Sequence, residues 1–140
     1  MLFRSIKDAG LNYYMNEFSA TIGLEQIKKI DRLNSKRKVV AKRYHTEIKL
    51  QEKMPYDEEC SYHLYWIRVK NRKNFMKKME DNNIETGIHY IPVHKTTYYN
   101  SKKRLPVTEK ISKEIVSIPM HANLSEIQVD KIIKIVNKYS

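Results

Sequence analysis

Between Asn16 and Ile48 the apolar residues recur at helical steps. Ala20, Leu24 and Ile27 make one stripe, and Ile30, Leu33, Val40, Tyr44 and Ile48 continue it. Lys28, Lys29, Arg32, Lys36, Arg37, Lys38, Lys42 and Arg43 fall between them. The pattern predicts one long amphipathic helix, or two end to end with a break near Asp31. Asn16 suits the N-cap, with Glu17 in the first turn, where the helix dipole favours a negative charge. So long a helical region constrains everything after it. The remainder is too small to cover it, so the helix needs a further surface, from another chain or from a missing domain.

The remainder alternates. QEKMPYDEEC (51–60) is a polar connection, and SYHLYWIRVK (61–70), rich in aromatic and β-branched residues, reads as a strand. Asn71 can cap a helix running to about Asn82, with Phe75, Met76 and Met79 on its inner face. Ile84 to Tyr90 reads as a second strand, which Pro92 ends or confines to an edge. TTYYNSKKRLP (96–106) is a loop, Val107 to about Glu114 a short helix and IVSIPM (115–120) a short strand. Ser125 and Gln128 form a capping-box pattern before the stripe Val129, Ile132, Ile133, Val136 and Tyr139. The order predicts an α/β chain of the two-layer α+β kind. Its small, mostly antiparallel sheet has about three strands packed with helices and follows the long helical region.

The 140 residues suffice for one domain with a modest core. No apolar run is long enough to span a membrane, and the start MLFRSIKDAGLNYY does not read as a secretion signal. Cys60, the single cysteine, cannot form an internal disulfide, which fits a reducing cytoplasm, and it excludes cysteine-based zinc sites. The net charge of +11 has two readings. One is a polyanionic partner, either nucleic acid or a diphosphate-bearing ligand. The other is lysine-rich solvated helix faces. With three glycines the chain has no phosphate-cradling Gly-rich loop.

Polar ring chemistry concentrates in IETGIHYIPVH (84–94). His89 and His94 stand five apart across Pro92, unlike a helical zinc pair, and the stretch has only Glu85 as carboxylate, so no metal is assigned. Cys60 near His63 does not make a nucleophile pair. Histidine and tyrosine beyond a strand can, however, donate hydrogen bonds to phosphate or sugar oxygens without adding a fixed charge. The alternative is an internally satisfied loop histidine. In GLNYYMNEFSATIGLEQIKKID (10–31), Asn12, Tyr13 and Tyr14 occupy the turn before a helix, a natural anion site. Plain turn chemistry is the alternative there.

Together these stretches resemble one family. GLNYYMNEFSATIGLEQIKKIDRLNSKRKVVAKRYHTEI is similar to the Gly-Tyr-Asn-Tyr-Arg-Met-Ser-Glu stretch and basic helix of the DegT/DnrJ/StrS sugar aminotransferases. SYHLYWIRV followed by GIHYIPVHKTTYY resembles the family's next strand and its Gly-Ile-His-Tyr-x-Pro-x-His loop. LPVTEKISKEIVSIPMHANLSEIQVDKIIKIV resembles its C-terminal end. The resemblance covers nearly the whole chain.

It implies the C-terminal part of a fold-type I aminotransferase that uses pyridoxal phosphate. Residues 1–50 would be the end of the large domain with its connecting helices, and 51–140 the small domain. It implies amino transfer, usually from glutamate, to a nucleotide-linked keto sugar in cytoplasmic amino-sugar or cell-surface polysaccharide biosynthesis. The family forms homodimers with shared sites. Asn12 would reach the cofactor phosphate of the neighbouring subunit. His89 and Tyr90 would reach the sugar nucleotide, at its diphosphate, and His94 would support their loop. Tyr14, a candidate substrate contact, stands where the family usually has arginine, and the exchange removes a bidentate phosphate contact.

The family's Schiff-base lysine lies well upstream of the Asn-Tyr turn. Lys7 is the only lysine before that turn and does not match the motif, so no catalytic residue is assigned and the chain is expected to be inactive alone. Its partners are expected to be a nucleotide-linked keto sugar and a second copy or a missing N-terminal half, with no membrane. A non-catalytic sugar-nucleotide-binding module and a basic nucleic-acid-binding domain are the rivals. The second of these is disfavoured, because the aromatics lack an RNA-binding strand pattern.

Overall fold

Asn16 caps α1 (Glu17–Ile27) as expected, its side chain accepting the Ser19 N–H at 2.8 Å. The break after α1 falls at Lys28 and Lys29, whose N–H groups turn back to Leu24 and Gln26, slightly before the expected Asp31. The computed structural model describes residues 13–99 and 101–140 and divides into two units, Met1–Asp31 and Arg32–Ser140. In the first unit none of the α1 residues is buried, and Phe18, Ile22, Leu24 and Ile27 are exposed.

The second unit holds the core. From α2 (Ile30–Glu47) Val40, Ala41 and Tyr44 point inward. No glycine ends this helix. Instead Asn137 donates to the Glu47 carbonyl (2.9 Å) and accepts the Lys49 N–H (2.8 Å), supplying a C-terminal cap from a distant helix. That helix is α5 (Glu126–Tyr139), whose capping box of Ser125 and Gln128 forms as predicted. Arg43 binds Glu47 with both forks and reaches Asp130 at 2.7 Å, joining α2 to α5 again.

Two strands form, β1 (Tyr65–Arg68) and β2 (Ile115–Ile118), antiparallel with Trp66 opposite Ser117. Single bridges extend the sheet on both sides, Lys53 to Ile67 and Gly87 to Ser117. Tyr65, Ile67, Val116 and Ile118 therefore share one face and lie buried in the core with α2, α3 (Arg72–Asp81) and α5. Trp66 and Ser117 share the opposite face.

The expected strand Ile84–Tyr90 is thus reduced to one bridge, for a reason the register makes plain. Gly87 and Ser117 exchange both backbone bonds (2.9 and 3.0 Å), so the next bonded pairs would be Glu85 with Pro119 and His89 with Ile115. Pro119 has no N–H. The Ile115 N–H already donates to the Ile111 carbonyl, closing α4 (Pro106–Glu114).

α3 sends Phe75 and Met79 into the core and packs on α5 and β2. It stops through a left-handed residue, Asn83 (φ 56). The Asn83 N–H returns to Glu80 and the Ile84 N–H to Met79, at 2.8 and 2.9 Å, with Ile84 buried beside the helix end. This motif launches the chain directly into the 84–94 stretch. Tyr44 steadies β2 beyond its end by donating to the Pro119 carbonyl at 2.9 Å. Burial pushes the Tyr44 phenol above its ordinary range, so it remains a neutral donor.

Candidate functional site

Gly87 explains how the loop is built. It has no positive φ, so its role is space rather than backbone freedom. A Cβ there would lie 2.5 Å from the His89 Cε1 and 3.1 Å from its Nδ1. The missing side chain lets the imidazole fold back over Gly87. There His89 Nδ1 meets the Ser117 hydroxyl at 3.0 Å, across from the Gly87–Ser117 bridge. The His89–Tyr90 peptide is cis, and the Tyr90 ring stands edge-on to the imidazole with centroids 4.9 Å apart. Tyr90 is 71% exposed. His89 and Ser117 also stand in the wall of a cleft of about 710 Å³ that includes Glu85, His121, Gln128 and Lys131.

His94 has a different surrounding. It sits in the 3-10 turn Val93–Lys95 with 11% of its side chain exposed, and its Nε2 lies 3.3 Å from Glu109 of α4. A carboxylate only accepts, so His94 donates. The same Glu109 oxygen accepts the Leu105 N–H at 3.0 Å and meets Lys95 at 3.4 Å. The loop is thereby tied to the start of α4. The Leu105 N–H, then His94 and Lys95, hold the Glu109 carboxyl at about 2, against an ordinary 4.5. Because the folded value is the lower one, this contribution is complete above about 4.5 and is lost as pH falls to about 2. We expect the Glu109 carboxyl carbon to titrate near the lower value and protection of the Leu105 amide to fade in that window. A midpoint near 4.5 would show that the tie does not form.

His89 and Tyr90 are in ring contact, whereas His94, later in the same stretch, has its own partner on α4. Tyr14 belongs to the first unit and is 91% exposed. Asn12 lies outside the described residues. Sequence reasoning missed Ser117 and Glu109. A lone serine inside the apolar run IVSIPM, and a glycine two positions before a histidine, were the available signals. Among the described residues no group of three His, Cys, Asp or Glu can hold a metal, and no helix is long and apolar enough to cross a membrane.

The DegT/DnrJ/EryC1/StrS aminotransferase family is matched over residues 2–137. The chain belongs to that family. A dTDP-3-amino-3,6-dideoxy-alpha-D-galactopyranose transaminase from Aneurinibacillus thermoaerophilus is 31% identical over 137 residues, covering 93% of this chain and 38% of the relative. Among solved structures, a DegT/DnrJ/EryC1/StrS aminotransferase from Brucella abortus is similar with a TM-score of 0.84 at 26% identity, over 98% of this chain and 40% of that one. Helicobacter pylori PseC, an aminotransferase involved in the biosynthesis of pseudoaminic acid, is similar with a TM-score of 0.82 at 28% identity, over 96% and 40%. The fold class expected from the DegT/DnrJ/StrS resemblance is therefore met, with two strands among the described residues in place of about three. The chain spans about two fifths of the length of these relatives.

The family's aminotransferases use pyridoxal phosphate, which needs a lysine for its aldehyde. The loop's own lysine, Lys95, is paired with Glu109. Imidazole, phenol and hydroxyl groups suit oxyanions and do not supply that covalent anchor. The loop therefore does not fit the cofactor's reactive end.

Proposed function

We propose that this chain is the C-terminal part of a pyridoxal-phosphate-dependent aminotransferase acting on a nucleotide-linked keto sugar, with glutamate as amino donor. Its His89–Tyr90 loop would receive the diphosphate of that substrate at a homodimer interface. The observation that carries the reading is the pairing of a pinned imidazole with an exposed phenol in one loop. Two neutral donors side by side suit a diphosphate, and the lysine-rich surface adds a favourable field for the approaching anion. The relatives support the substrate class: one is a dTDP-sugar transaminase and another serves pseudoaminic acid biosynthesis. Asn12 would contribute to the cofactor phosphate and Tyr14 to the substrate, with His94 holding the loop on α4.

In this reading residues 1–50 supply the end of a large domain and its connecting helices, of which α2 packs into the core of the second unit, and 51–140 form the small domain. The exposed apolar side chains of α1 then have a covering surface. The Schiff-base lysine comes from sequence other than these 140 residues, in a cytoplasmic enzyme of amino-sugar or polysaccharide synthesis. The test is reconstitution. The purified chain alone should show no transamination of a dTDP- or UDP-linked keto sugar, and adding the cofactor-bearing portion of a relative should restore it. Turnover by the chain alone would overturn the proposal. Binding of the sugar nucleotide without turnover in any combination would favour a non-catalytic binding module.

A further inference from the structure

We infer that Ser117 is a positioning residue: its hydroxyl donates to His89 Nδ1 and so fixes the ring as the Nε2–H tautomer, a neutral donor for a phosphate oxygen. The use of that donor rests on the function proposed above. The tautomer itself does not.

The geometry that carries this is local. Ser117 lies on β2, between β1 and the Gly87 bridge, and is 5% exposed. Its backbone N–H and C=O both go to Gly87, and its Cα pairs with Trp66 on β1, so the backbone that carries the hydroxyl is fixed beside the ring. Among the described residues His89 Nδ1 is the partner of that hydroxyl. A serine has one proton to place and two lone pairs. A buried O–H left without an acceptor loses a full hydrogen bond, whereas an unused lone pair costs less. The hydroxyl therefore donates, Nδ1 accepts, and the proton of the neutral ring resides on Nε2. Gly87 completes the device, since any Cβ there would push the ring off Ser117. Glycine, histidine and serine thus act together, although Ser117 is 28 residues from the histidine it orients.

The test begins with 15N–1H spectra of the histidine rings in the full chain, without ligand, at a pH where His89 is neutral. We expect Nδ1 in the unprotonated nitrogen range and Nε2 in the protonated range. In Ser117→Ala both should move toward the values of a free, exchanging imidazole, while Ser117→Thr, which keeps the hydroxyl, should retain the wild-type pattern. Gly87→Ala should reproduce the Ser117→Ala shifts with the serine intact. An Nδ1–H ring in the wild type, or unchanged shifts in Ser117→Ala, would overturn the inference, and the wild-type spectrum decides even if a variant does not fold. In the reconstituted enzyme the KM for the sugar nucleotide should rise about three- to tenfold in Ser117→Ala, with kcat held within about twofold and KM restored by threonine. A pinned tautomer whose Nε2 fails to respond to added UDP or dTDP would refute the proposed ligand while leaving the role of Ser117 standing.

Discussion

Phe75→Ala is expected to destabilise the second unit by about 3–5 kcal/mol, the range for emptying a buried aromatic site. Phe75 is 1% exposed and belongs to the core that α3 shares with α5 and β2. Removing its ring forfeits the transfer free energy of the side chain and leaves a cavity between elements that are fixed from elsewhere. The Asn83 turn holds the end of α3, the capping box holds the start of α5, and the Asn137 cap joins α5 to α2. The site therefore has little freedom to collapse. Urea unfolding should show a lower midpoint at an unchanged slope. A loss below about 1 kcal/mol would mean that the surrounding helices close the gap and the core is looser than its burial implies.

The second large effect is expected on binding. In the reconstituted enzyme, His89→Ala should raise the KM for the sugar nucleotide about ten- to hundredfold, corresponding to about 1.5–3 kcal/mol for a hydrogen bond to a charged oxygen. The kcat should change by no more than about threefold, because the donor contacts substrate away from the bond being made. A fall in kcat at constant KM would place His89 at the reacting centre instead. No change in either would leave His89 as an internally satisfied loop residue, the bland reading of the same motif.

The helices were legible because each carries local signals that act over a few residues. Asn16, Asn71 and the Ser125–Gln128 pair mark three helix starts, and all three caps form. The stripes of α3 and α5 meet the core as their periodicity predicts, with Ile135 added on the buried side. The strand at Ile84–Tyr90 misled because β-branched and aromatic residues report a fit to a pleated surface, not the availability of a partner. Its partner strand had none to offer beyond Ser117, given Pro119 on one side and the helix-closing Ile115 on the other. In the site, His89 and Tyr90 stand out by type and spacing, whereas Ser117 and Glu109 do not.

The sequence by itself determined the family, the order of elements apart from the strand at 84–90, most helix boundaries and the loop that bears the polar rings. These depend on residue identity at short separations, where caps, periodicity and motif spacing act directly. Only the tertiary structure decided which group orients His89 and which carboxylate holds His94. Those partners, Ser117 and Glu109, lie 28 and 15 residues away in the chain. Nothing local in an apolar strand or a helix first turn announces which ring it will meet. The pairing exists because antiparallel register sets Gly87 against Ser117, and because a residue without a side chain leaves room for an imidazole to turn back upon the sheet.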